Sequence, residues 1–133
     1  MANKKKLTRL TLDQLIAAKE QKEKDRLMVK EIEIPSIGGT LLFKRPTDEQ
    51  IFEFVDAVKD DDSMQNTCDQ YAAIIHANCE QLQDPNLYEE IETSHPVDIV
   101  YKIMDANDIA TVGDKVCSMN NLYSNAGEEV KNA

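Results

Sequence analysis

One stretch of this chain changes period, and that change limits the folds open to it. Val29-Lys30-Glu31-Ile32-Glu33-Ile34 alternates, with Ile32 and Ile34 on one face and Glu31 and Glu33 on the other. That is the two-residue period of a strand. Pro35-Ser36-Ile37-Gly38-Gly39 follows as a turn cluster whose paired glycines are free to take positive φ. Thr40-Leu41-Leu42-Phe43-Lys44-Arg45 then resumes strand character until Pro46 stops it. Residues 27–45 therefore read as a β-hairpin. A lone hairpin is barely stable in water, so one face must pack on helices or on the sheet of another protomer.

Everything else runs at helical period. Thr11 opens the first helix in a capping box with Gln14, and Leu12, Leu15 and Ile16 form a short apolar stripe. The run Lys19-Glu20-Gln21-Lys22-Glu23-Lys24-Asp25-Arg26 is polar all round, so this helix is expected to be exposed and to dock only on a partner. A second capping box, Thr47 with Gln50, precedes Ile51, Phe54, Val55 and Val58 at i, i+3, i+4 and i+7. Asp60-Asp61-Asp62-Ser63 ends that helix and offers N-caps for the next, where Cys68, Tyr71, Ala72, Ile75, Cys79 and Leu82 read as one stripe over four turns. Asp84-Pro85 is an N-cap and N1 pair for a short helix through Ile91. Ser94-His95-Pro96 starts another, with Val97, Val100, Tyr101 and Met104 facing inward. Asn107 or Asp108 is expected to cap a last helix carrying Ile109, Val112, Val116 and Met119. The expected class is α+β, mainly α. A helical arm (1–26) leads into a single globular domain (27–123) of one hairpin (27–45) and four to five short helices (47–123), with a flexible tail (124–133).

Charge divides the chain along the same boundary. Of 133 residues, 15 are Lys or Arg and 25 are Asp or Glu, a formal net charge of −10. Residues 1–30 hold nine cations and four anions, so they carry +5 and the remainder carries −15. A pI near 4.6 argues against nucleic acid and against an anionic membrane as partners. The stretch after Lys4-Lys5-Lys6 is interrupted by Arg9, Asp13, Lys19 and Glu20, so it makes no signal-peptide core, and no run approaches the ~20 residues that span a bilayer. Cys68, Cys79 and Cys117 are an odd set within helical segments, as expected of buried free thiols in a reducing, intracellular setting.

Sites of chemistry are sparse. Three consecutive aspartates, Asp60 to Asp62, cannot all face one ion, and no companion cluster is evident. Asp105-Ala106-Asn107-Asp108 begins like a calcium loop but has Ala110 where glycine is needed and Val116 where a bidentate Glu is needed. His76 and Cys79 have zinc-ligand spacing, yet a structural zinc needs four ligands, and His95, Cys68 and Cys117 stand apart. Gly38-Gly39 lies in a hairpin turn rather than between strand and helix, so it is no phosphate cradle. The reading is non-enzymatic, with no catalytic residue, cofactor or metal assigned. The competing classes are a small metal-binding or enzymatic protein using His76 and Cys79, and a structural subunit.

Three segments carry a resemblance: Leu10-Thr11-Leu12-Asp13-Gln14-Leu15-Ile16-Ala17-Ala18, then Lys30 to Thr40 ending in the glycine turn, then Thr47-Asp48-Glu49-Gln50-Ile51 opening an acidic helix. In this order, over residues 10 to about 58, they resemble the XkdN-like tail assembly chaperones of phages and PBSX-type prophages with contractile tails. The resemblance implies a non-enzymatic viral assembly factor of the host bacterial cytoplasm, absent from the mature virion. It would keep the long, apolar tape measure protein soluble and help the tail tube protein assemble around it. Such families often add a longer form by −1 frameshifting. Val130-Lys131-Asn132 is encodable as GTA-AAA-AAC, which contains a slippery heptamer. On this reading Leu12, Leu15 and Ile16 are the first candidates for partner binding or homo-oligomer contact, and the hairpin around Gly38 and Gly39 is the second. Removing residues 1–26 should leave a folded body that no longer binds the tape measure protein. A basic arm reaching an acidic neighbour also predicts salt-sensitive self-association.

Overall fold

Helix α1 (Leu12–Arg26) starts where its capping box sets it. Gln14 N–H donates to Thr11 Oγ1 at 3.2 Å, and Thr11 N–H donates to Gln14 Oε1 at 2.8 Å. The structure, a computed structural model, describes residues 7–124. The basic Lys4-Lys5-Lys6, the Val130-Lys131-Asn132 site and all of the expected tail except Ser124 lie outside the described residues. No residue of α1 is buried, as its polar second half requires.

After α1 the chain turns at Leu27 and Met28 into β1 (Val29–Ile34), which pairs antiparallel with β2 (Gly39–Lys44) from Ile34↔Gly39 to Val29↔Lys44. The N–H groups of Ile37 and Gly38 both donate to the Ile34 carbonyl, at 3.0 and 2.9 Å. Gly38 takes φ +74°, which glycine enters without a Cβ clash. Gly39 does not use that freedom. It becomes the first residue of β2, one position before the expected Thr40, because its partner Ile34 closes the ladder there.

Ile32, Ile34 and Phe43 are buried on one hairpin face, while Val29, Glu31, Glu33, Leu42 and Lys44 stay exposed. The covered face packs on helices of its own chain rather than on another sheet. The helices after the hairpin are α2 (Asp48–Asp60), α3 (Met64–Ala77), α4 (Pro85–Ile91), α5 (Pro96–Ile103) and α6 (Ala106–Cys117), with a 3-10 turn at Glu80–Gln83. The fold is α+β, mainly α. Helices α3 and α6 form its central pair. On one side they meet the hairpin and α5 through Ala72, Ile75, Val100, Val112 and Val116. On the other they meet α2, whose Ile51, Phe54, Val55 and Val58 pack with Ile74, Cys117 and Tyr123. The close approach of α3 and α6 depends on Gly113, where a Cβ would lie 2.4 Å from Tyr71 Cδ1.

Four local expectations change. The stripe from Cys68 to Leu82 is not one helix: α3 stops at Ala77, Cys79 is extended, and Leu82 belongs to the 3-10 turn. The Asn78 carbonyl accepts the Lys44 N–H of β2 at 2.8 Å, and Asn78 Nδ2 folds back to the Ile74 carbonyl at 2.9 Å, so the residue serves the sheet edge and the helix end together. The cap of α6 is Asp105 rather than Asn107 or Asp108, and Asp108 is the N3 member of the capping box. In α5 the fully buried residues are Ile99 and Val100, with Val97 and Tyr101 only half-buried. Finally, Cys68 is half-buried, whereas Cys79 and Cys117 are buried; all three are free thiols.

Candidate partner-binding surface

The apolar stripe of α1 is left largely uncovered by the other described residues. Leu12, Leu15 and Ile16 are 72%, 52% and 46% exposed. Toward its C-terminus α1 is attached by Arg45, whose Nη1 donates to the Asp25 carbonyl at 3.3 Å. There Lys22, Asp25 and Arg26 face Pro46, Thr47, Asp48 and Asn120 across a cleft of about 450 Å³ lined by charges of both signs. Exposed Leu27, Met28 and Val29 carry apolar surface on from the end of the helix into β1. Scattered apolar residues are normal on a surface, but three at helical spacing on a helix with no buried residue make the stripe the first candidate for a partner.

The second candidate, the turn at Gly38 and Gly39, lies at the far end of the hairpin from α1. A Cβ at either glycine would meet nothing within 4 Å, so the turn is open. The two long edges differ. Along β2, Leu42 N–H donates to Gln81 Oε1 at 3.1 Å and Lys44 N–H donates to the Asn78 carbonyl, so that edge is covered from within. By the register, Val29, Glu31 and Glu33 point their backbone groups outward along β1, and no hydrogen bond reaches them among the described residues.

His76 and Cys79 are drawn into structure instead of toward each other's chemistry. His76 is buried, and its Nε2 lies 2.8 Å from the Tyr88 hydroxyl with the two rings stacked. Burial holds the imidazole below its usual pKa. Cys79 is in the core, and burial pushes its thiol up, with Glu80 adding to the shift. Cys79 has left the helix, and its N–H donates to the His76 carbonyl at 3.4 Å while its side chain joins the core. No three His, Cys, Asp or Glu side chains among the described residues could share a metal ion.

The interior also holds polar ties that no single segment of the sequence shows. Asp108 is buried and accepts from both the N–H (3.1 Å) and the hydroxyl of Ser36, tying the hairpin turn to α6. The Ser36 hydroxyl contributes most to holding this carboxyl below its ordinary range. Tyr71 and Tyr123 hydroxyls meet at 2.7 Å, and Tyr123 donates to Asp114 Oδ1 at 2.7 Å. Asn120 Nδ2 bridges the Pro46 carbonyl (3.0 Å) and Asp48 Oδ1 (2.9 Å). Two signals were available: Asp105 and Asp108 at capping-box spacing, and Gly113 as a lone glycine within a helical pattern. Phe52, on the side of α2 away from its core, is exposed as well.

No helix among the described residues is long and apolar enough to cross a membrane. Comparison with known protein families, with characterised proteins and with solved structures finds no match.

Proposed function

We propose that this chain is a non-enzymatic tail assembly chaperone. It binds an apolar, helix-rich tape measure protein in the host bacterial cytoplasm, holds it soluble while tube subunits assemble, and leaves before the virion matures. The observation that carries the reading is the stripe Leu12, Leu15 and Ile16, exposed on a capped helix with no buried residue. A helix of this kind offers i, i+3 and i+4 anchors to another amphipathic helix. The acidic remainder of the chain, at −15, supports the role, because complexes of like charge repel one another and stay dispersed. The resemblance over residues 10 to about 58 names the partner.

Co-expression with the tape measure protein of the same tail gene cluster tests it. The wild-type chain should keep that protein in the soluble fraction and co-purify with it, and Leu12→Ser/Leu15→Ser/Ile16→Ser should do neither while melting like wild type. A tape measure protein equally soluble with the triple variant would refute the surface. Stoichiometric presence of the chain in finished particles would favour a structural subunit instead.

A further inference from the structure

The sheet of this chain has two strands and two edges, and the fold covers one of those edges only. Along β2, Gln81 Oε1 and the Asn78 carbonyl accept the outward N–H groups of Leu42 and Lys44 at 3.1 and 2.8 Å. Along β1, the outward N–H and C=O groups of Val29, Glu31 and Glu33 meet no partner among the described residues. The open edge is also held ready to pair. At one end the Arg45 N–H donates to the Met28 carbonyl at 2.9 Å, and at the other the Ser36 N–H donates to Asp108 Oδ1 at 3.1 Å. Between them the ladder runs from Val29 to Ile34 without a bulge or a proline. An edge of this kind takes up an extended segment by strand addition, in which main-chain bonds supply the attraction and alternate side chains choose the partner.

Charge makes that choice here. Val29, Glu31 and Glu33 lie on the exposed face of the hairpin, whereas Ile32 and Ile34 are buried against the helices. Across the ladder the two glutamates stand opposite Leu42 and Thr40, so β2 brings them no cation. Lys44, the one lysine of β2, ion-pairs instead with Glu80 at 3.2 Å, beside the covered edge. Neither Glu31 nor Glu33 joins an ion pair among the described residues. A second copy of β1 is the wrong occupant. In either antiparallel register that overlaps most of the strand, Glu31 falls opposite itself or opposite Glu33 of the other copy, and like charges so placed repel. An extended segment with Lys or Arg at alternate positions is the right one, because each cation then lies directly across from a glutamate. We propose that the β1 edge docks such a basic strand of another protein, which becomes the third strand of the sheet. This surface is separate from the stripe of α1, and its assignment does not rest on the chaperone reading.

Nuclear magnetic resonance titration of the full chain with three end-blocked, seven-residue peptides tests it. The first alternates Thr and Lys, the second carries Glu in place of each Lys, and the third is the first with its lysine backbone nitrogens methylated. The Thr-Lys peptide should bind, shift the amide signals of Val29, Glu31 and Glu33, and slow their hydrogen exchange. The methylated peptide keeps the charge but cannot donate to the edge, so it should not bind. In Glu31→Lys/Glu33→Lys, which changes exposed side chains only, the preference should invert. The Thr-Lys peptide should bind that variant ~10-fold more weakly, and the Thr-Glu peptide should take its place. The inversion is the decisive result, since a misfolded variant could not produce it. A Thr-Lys peptide that leaves the β1 amides unprotected would overturn the proposal, and the glutamates would then only guard the edge. Equal binding of the methylated peptide would overturn it by reducing the contact to diffuse attraction toward an acidic surface. An unchanged preference in the charge-reversed variant would overturn it as well.

Discussion

Gly113→Ala should destabilise the fold, against the usual sign for this substitution in a helix. On an open helical surface the change gains ~1 kcal/mol, because alanine has less backbone entropy to lose. Here the new Cβ would lie 2.4 Å from Tyr71 Cδ1, 2.5 Å from Cγ and 2.7 Å from Cβ. The ring could swing aside, but Tyr71 Cβ is fixed to the α3 backbone, so α3 and α6 must part by about 1 Å to restore ordinary contact. Overpacking of this kind costs ~1–3 kcal/mol. The same ring packs at a tilt against Phe54 at 4.8 Å and its hydroxyl bonds Tyr123, so displacement puts another ~0.5–1.5 kcal/mol at risk. After the propensity gain the net loss is about 1–3 kcal/mol, or roughly 3–10 °C in Tm for a chain of this size. Thermal melts by circular dichroism or calorimetry read it directly. In a Tyr71→Ala background the Cγ and Cδ1 contacts vanish and the Cβ contact stays, so the loss should shrink without disappearing. A Tm equal to or above wild type for the single variant would refute the close-approach reasoning.

Acid should weaken the tie between turn and bundle. The Asp108 carboxyl titrates lower folded than unfolded, so its contribution is present above the ordinary carboxylate range and is lost as pH falls through the folded value. Ser36→Ala should lower Tm near neutrality and converge with wild type in strong acid; a constant gap down to pH 2 would contradict this. His76 works in the same sense at higher pH: burial lowers its pKa, so stability should decline as pH drops below the ordinary imidazole value of 6.5. His76→Asn should flatten the Tm profile between pH 7 and 5, and an unchanged slope would show that the ring is not its source. Tyr123→Phe should cost ~1–3 kcal/mol in denaturant melts, since it leaves the Asp114 carboxylate and the Tyr71 hydroxyl without their shared partner. Tyr71, whose phenol burial pushes up to about 12, should still be mostly protonated at pH 11 while the fold persists, read as the difference in ultraviolet titration between wild type and Tyr71→Phe.

What could be read ahead of the structure was decided within a few residues of itself. Thr11 with Gln14, Thr47 with Gln50, and Asp84 with Pro85 start helices by local hydrogen bonds and a fixed φ, and each helix begins where those residues place it. The period change at Val29 is local too. The end of α3 is not, because Asn78 is claimed by Lys44 of β2, more than thirty positions away, and the apolar period through Cys79 and Leu82 runs on past the true stop. Asp108 likewise looks like one more acidic cap until Ser36 is folded onto it. The candidate site divides the same way. The bareness of Leu12, Leu15 and Ile16 was legible, since nothing in the polar half of α1 could continue their stripe. The covering of the β2 edge was not, because Gln81 and Asn78 reach Leu42 and Lys44 only through the tertiary fold.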